Sequence, residues 1–185
     1  AGKNLNSDAV INHGGTGVWS GAWNINANSS SVFANNGTWE IQSSASYVAP
    51  QGATTPLPVF TNTGTVRRTT DTQATILDAN IVFNNNGTVD VESGKFAFGS
   101  GVSVGGVFNA AANAVLEMDG GTTSIELHQG VQFTGPGVSR INGANVGLFG
   151  QAGSVSSGAT VELAGGTVSG PGLVSVAGTL NLTGG

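Results

Sequence analysis

Three segments of the chain superimpose without a gap: Phe33-Ala-Asn-Asn-Gly-Thr-Trp39, Phe60-Thr-Asn-Thr-Gly-Thr-Val66 and Phe83-Asn-Asn-Asn-Gly-Thr-Val89. This recurring Phe-x-Asn-x-Gly-Thr turn constrains the fold more than any other feature, because self-similarity at a near-constant interval marks stacked units. The three phenylalanines lie 27 and 23 residues apart, and Phe108 and Phe133 extend the series at intervals of 25. A second repeat sets Asn113-Ala-Val-Leu-Glu-Met-Asp-Gly-Gly-Thr122 against Gly158-Ala-Thr-Val-Glu-Leu-Ala-Gly-Gly-Thr167, 45 residues later. Gly135-Pro136-Gly137 follows the first copy and Gly170-Pro171-Gly172 the second. The first copy takes ten more residues to reach it, which reads as an inserted loop or partial turn.

Within the repeats, apolar residues fall at every second position, as in Thr88-Val-Asp-Val-Glu92, Val161-Glu-Leu163 and Thr179-Leu-Asn-Leu182. That is the period of a half-buried strand. Gly-Gly, Asn-Gly and Ser-Gly pairs between them supply sharp turns. No stretch has helical spacing with capping signals. A sandwich with hairpins every 8–12 residues gives no reason for one turn motif to recur every two or three strands; stacked coils do. The expected fold is all-β: a single right-handed parallel β-helix, or β-solenoid, of about seven coils at roughly 25 residues per repeat. One domain spans 1–185, with an irregular part at 1–32 and repeat coils at 33–185. A loop at 47–58 carries Pro50, Pro56 and Pro58, which cannot donate to a central ladder.

Stacking turns aligned positions into columns about 4.8 Å apart. Phe33, Phe60 and Phe83 form an interior aromatic column in offset stacks, and Asn35, Asn62 and Asn85 an amide ladder. Gly37, Gly64 and Gly87 hold a backbone conformation closed to residues with a Cβ. Trp39, Val66 and Val89 share an apolar slot; Glu40, Arg67 and Asp90 alternate in charge on an outer face. Arg68 breaks the pattern, since its column mates are Ile41 and Val91. A bulge turning it outward is preferred over burial against Asp71 or Asp78. Neither end shows an obvious cap, and no secretory leader opens the chain, so a section of a longer protein or a filament subunit is expected.

The run from Phe83 to Gly99 has the form F-x-N-x-G-T-V-x-V-x-S-G-x-x-x-x-G. It is followed by G-x-F-N-x-A-x-x-A-x-L from Gly106 to Leu116, and later by Gly-Ala-Thr-Val-Glu-Leu-x-Gly-Gly-Thr-Val-Ser-Gly-Pro-Gly from Gly158 to Gly172. These segments resemble the repeat β-solenoids of very large secreted and surface bacterial proteins, similar in build to adhesins and autotransporter passengers. The resemblance implies a non-enzymatic, extracellular or cell-surface role. The expected function is a structural or adhesive segment acting as a stiff rod or fibre-forming element. End-to-end self-association, further repeats of a parent chain, a glycan or a cell surface are the expected partners. The alternative is a carbohydrate-binding or carbohydrate-active β-helix module.

Composition narrows the chemistry. Only five Lys and Arg stand against ten Asp and Glu among 185 residues, for a net charge of −5, which offers no footprint for nucleic acid. Without cysteine there is no thiol catalysis or disulfide framework, and no apolar run is long enough for a transmembrane helix. Glu117 and Asp119, about 7 Å apart along one strand face, suit acid/base glycoside chemistry in spacing, with Glu126, His128 and Arg140 nearby. Alternating acids are more simply the solvated face of a strand, Ala164 replaces Asp119 in the second copy, and Arg140 alone is a thin partner. No catalytic residue is therefore assigned. No cofactor or metal is expected either: Gly120-Gly-Thr-Thr-Ser lacks the aspartate of the calcium nonapeptide, and His13 beside Gly14-Gly15 reads as a turn histidine. Trp19 and Trp23 are the candidate glycan-binding edge, while Trp39 belongs to the core by its column. The column Thr38, Thr65 and Thr88 is too narrow for ice binding. Asn28, Asn36, Asn86 and Asn181 open formal glycosylation sequons, two of them within the turn motif.

Overall fold

The computed structural model describes residues 2–49, 55–70, 73–120, 124–151 and 153–185. Among them there is no helix: 25 short strands, all paired in parallel within four sheets, wind into a three-sided solenoid. The first face is a nine-stranded sheet running from Lys3–Leu5 to Thr179–Leu182. The third is an eight-stranded sheet from Thr16–Ser20 to Val174–Val176. The second divides into two four-stranded sheets, Val10–His13 to Val82–Asn85 and Gly101–Ser103 to Thr167–Ser169. Parallel ladders with one face on a shared interior suit strands whose apolar residues alternate.

This makes about eight turns rather than seven. Along the first face most turns advance 19 to 23 residues, as in Thr160↔Thr179 and Val115↔Val138. The exception is Tyr47↔Leu77, a step of 30 residues that contains the proline-rich 47–58 segment. Of that segment, 50–54 lie outside the described residues; Pro58 is buried and its carbonyl accepts from Val82 N–H at 2.9 Å. Spacing read from the phenylalanines overestimates the turn because it samples this long coil and, further on, changes face.

Residues 2–32 form regular strands of the solenoid rather than the irregular part expected of 1–32. Ile11-Asn-His-Gly-Gly-Thr-Gly17 pairs residue for residue with Phe33 to Trp39 one turn on, so it is a first copy of the turn motif with Ile for Phe and His for Asn. The Gly-Thr pair was the legible part of that copy. The 45-residue repeat is two turns of the first face, with Val138–Asn142 between its copies. Its Gly-Pro-Gly segments occupy different corners, which accounts for the ten-residue difference without an insertion. Gly135-Pro136-Gly137 joins the third face to the first, and Gly170-Pro171-Gly172 the second to the third.

A spine of aromatic rings threads the interior. Phe33–Phe60 and Phe60–Phe83 centroids are 4.9 and 5.3 Å apart at 70° and 80°, so these rings meet edge to face rather than in offset stacks. Phe108 and Phe133 do not continue this column. They stand on the third face above Val89, and Phe98 of the first face bridges to them, 5.2 Å from Phe83 and 5.7 Å from Phe108.

The transfer coincides with the break in the second face. Gly101 adopts φ +135°, where a Cβ would lie 1.9 Å from Phe83 O, and the chain passes Val82–Asn85 without a ladder, bonded through Phe83 N–H to Ser100 O at 3.0 Å. Side chains substitute for it. Asn84 Oδ1 accepts from Val102 N–H at 3.0 Å, Asn86 Oδ1 from Val104 N–H at 3.1 Å, and Ser103 Oγ donates to Asn85 O at 2.5 Å.

Candidate functional site

The corner between the second and third faces carries the turn motif and a ladder of side-chain amides. In the second to fourth turns the Asn closing the second-face strand (Asn35, Asn62, Asn85) points inward and is buried. Asn35 Nδ2 donates to Asn62 Oδ1, and Asn62 Nδ2 to Asn85 Oδ1, both at 2.7 Å. The same amides reach the backbone, Asn35 to Thr65 O and Asn62 to Thr88 O, each at 3.0 Å. His13 holds the first-turn position, its Nδ1 2.8 Å from Asn35 Oδ1. Because the Asn35 amide nitrogen already faces the next turn, that oxygen accepts and His13 Nδ1 carries the proton. The ladder stops at Asn85, whose Nδ2 finds no hydrogen-bond partner; Gly106 and Ser103 stand above it instead of another amide.

Asn62→Ala removes two rungs and strands a buried acceptor on Asn85, so a loss of about 2–3 kcal/mol is expected. Urea denaturation checks this; a midpoint equal to the native one would show that the ladder contributes nothing.

Gly37, Gly64 and Gly87 fill their column for a steric reason. None has a positive φ. A Cβ on Gly64 would lie 2.1 Å from Gly37 O, and one on Gly87 2.2 Å from Gly64 O. Each of these carbonyls accepts the Thr N–H of the next turn at 2.8 Å. The close approach of the coils, not a left-handed backbone, requires glycine.

The titratable groups of the later turns separate into two places. Glu117, Arg140 and Glu162 are register partners on the first face. Lys95 Nζ is 2.7 Å from Glu117 Oε1, Arg140 Nη1 3.6 Å from Glu117 Oε2, and Arg140 Nε 2.7 Å from Glu162 Oε2. Glu117 is only 2% exposed, so it is not part of a solvated strand face: two cations cover it. Asp119, on the same strand, is exposed and outside this chain of ion pairs. Glu126 and His128 lie on the second face, Oε2 to Nε2 3.1 Å, with the His128 ring stacked on Phe149 at 4.8 Å. Glu117 and His128 therefore do not share a site. No group of three or more His, Cys, Asp or Glu able to hold a metal occurs among the described residues.

The Arg140 hydrogen bond holds the Glu162 carboxyl below its ordinary pKa of 4.5, with a smaller contribution from the Thr183 hydroxyl. The unfolded chain binds that proton more readily, so the stabilisation is complete above about pH 4.5 and is lost as pH falls through the lower folded value. Glu162→Gln is expected to flatten the acid limb of a stability–pH profile; an unchanged limb would show that the pair is silent in solution.

On the third face, Arg67 Nε lies 3.3 Å from both Asp90 and Glu92 and leaves Glu40 to Gln42 and Thr69. Arg68 does not turn outward through a bulge. It keeps regular register between Ile41 and Val91 and is 1% exposed. Its Nη1 donates to Ser43 O at 2.7 Å and to Thr75 Oγ1 at 2.5 Å, and its Nη2 to Gln73 O at 2.6 Å. Asp71, one of the two acids considered for it, lies outside the described residues. The inward Thr75 opposite, invisible to a column argument, makes burial tolerable, because charge-directed hydrogen bonds offset desolvation.

Trp19 and Trp23 do not make an aromatic row. Trp19 is 1% exposed, packed in the core, with Nε1 3.4 Å from Trp23 O, whereas Trp23 is 58% exposed. Trp39 is half-buried against Phe33 at 4.9 Å and lies over Gly17, which has no side chain to obstruct it. No helix among the described residues is long and apolar enough to cross a membrane. No family profile, curated protein or solved structure matches this chain.

Proposed function

We propose that this chain is a non-enzymatic structural segment, a stiff rod within an extracellular or cell-surface bacterial protein. The observation that carries the reading is the continuity of the interior: one aromatic spine from Phe33 to Phe133, with parallel sheets along every side. Eight turns at about 4.8 Å each make a body of roughly 40 Å along the axis. The second-face break is spanned by side-chain hydrogen bonds, so the joint is filled rather than hinged. Glu117, one of the acids that suggested glycoside chemistry, supports the same reading, because it is paired with Lys95 and Arg140.

The test pairs light scattering and negative-stain microscopy over a concentration series with a reducing-end assay on a panel of polysaccharides. Rods or end-to-end strings without turnover are expected. Turnover that disappears in Glu117→Gln would replace this reading with an enzymatic one.

A further inference from the structure

The corner that holds the asparagine ladder changes character along the rod. In the first four turns two residues join the second-face strand to the third-face strand: Gly14-Gly15, Asn36-Gly37, Thr63-Gly64 and Asn86-Gly87. In the next two turns the link is three residues, 104–106 and 128–130, and in the last turn it is four, 170–173. The inward amide is lost where the corner lengthens: Ser103, Leu127, Leu148 and Ser169 close the corresponding strands. A groove of ≈ 290 Å³ lies along this corner in the last three turns.

Gln129, Gln132, Gln151, Ser154 and Ser175 line this groove together with Leu173. Gln132, Ser154 and Ser175 are register partners in successive turns, the arrangement that elsewhere makes ladders. On neighbouring columns such side chains bond one another, as Thr134 does to Asn109 and Thr167 to Asn145. Here none of the five makes a side-chain hydrogen bond to another described residue, while the backbone beneath is paired through Gly130 N–H to Gln151 O and Leu173 N–H to Gly150 O. The groove thus presents amide donors and acceptors and hydroxyls, no charge, and an apolar rim in Leu173, which is 67% exposed.

We propose that this groove binds a neutral polysaccharide chain lying along the rod axis. Amides pair with vicinal hydroxyls because each offers both a donor and an acceptor, and Leu173 provides apolar surface for the C–H face of a pyranose ring. Turns recur every ~4.8 Å, close to the length of one pyranose unit, so successive turns meet successive sugars. The proposal is independent of the rod reading, which involves none of these side chains.

Isothermal titration with cellohexaose, maltohexaose and N,N′-acetylated chitohexaose, with polygalacturonate as the anionic comparator, tests it. At least one neutral hexasaccharide is expected to bind, with affinity unchanged in 1 M NaCl because no charge is screened. The double variant Gln132→Ala/Gln151→Ala should weaken it roughly tenfold or more, the effect of losing well-made hydrogen bonds. Leu173→Ser should weaken it too, and Trp23→Ala should leave it unchanged. All positions are exposed, so the variants should keep the native circular dichroism and melting curve. Absence of binding by all three neutral probes, tighter binding of polygalacturonate, or native affinity in the glutamine variant would overturn the proposal.

Discussion

Gly64→Ala is expected to lower stability by about 4 kcal/mol, a large loss for one methyl group, because the added Cβ cannot be placed without separating two turns. It would sit 2.1 Å from Gly37 O and 2.8 Å from Gly37 N. Gly37 O also accepts the Thr65 N–H at 2.8 Å, so relieving the clash opens a ladder bond that lies beside the Asn35–Asn62 rung. Overpacking costs about 1–3 kcal/mol on its own, and an unmade buried hydrogen bond adds about 1–3. For a chain of this size the loss corresponds to a melting temperature lower by roughly 8–16 °C. Gly15→Ala is the matched control. It stands in the same column one turn before Gly37, but nothing lies within 4 Å of its would-be Cβ, so alanine there should be neutral. Equal losses at the two positions would mean that the cost is conformational and that turn stacking is not its source.

Phe83→Ala should cost a similar amount, about 3–5 kcal/mol for a phenyl ring deleted from a packed interior, and should also change the form of unfolding. Phe83 meets Phe60 at 5.3 Å, Phe98 at 5.2 Å and Phe96 at 5.9 Å. It also lies where the second face has no ladder, and its own N–H donates to Ser100 O at 3.0 Å. Solenoid cooperativity depends on nearest-neighbour interfaces, so weakening the one between turns four and five should let the two halves unfold separately. Hydrogen exchange in Phe83→Ala should show the amides of 82–91 and 115–141 losing protection in distinct steps. A single transition, shifted by less than 1 °C, would mean that the ring is not the coupling element. Phe83→Leu, which retains most of the volume, should keep one transition.

The repeat motif made the columns legible because a parallel stack places like residues on like residues. Register pairs Phe33↔Phe60↔Phe83 and Asn35↔Asn62↔Asn85 follow from alignment alone. The glycine column was legible in position but not in cause, since only the height of the neighbouring carbonyl distinguishes steric exclusion from a left-handed backbone. The first turn is not legible in the motif because Ile11 and His13 replace its defining residues while keeping an apolar residue in register with Phe33 and a polar group bonded to Asn35. The polar groove left no motif at all. Its residues are scattered over three turns, and its signal is the lengthening of one corner, which requires the strand ends to be known.

Local chemistry and self-similarity determined the strand period, the turn residues, the parallel stack and the ladder in this chain, because each depends on residues one turn apart that the sequence aligns. Tertiary structure alone decided which face each repeat occupies: Phe108 and Phe133 continue the aromatic spine from a different wall, and Glu117 and Glu126, nine residues apart, lie on different sides. It also decided that Arg68 points inward, where Thr75 and the carbonyls of Ser43 and Gln73 meet it. The physical reason is the same in each case. The strand period specifies which side of a strand faces in, but which strands surround that interior depends on corner lengths, and one added residue at a corner redirects everything after it.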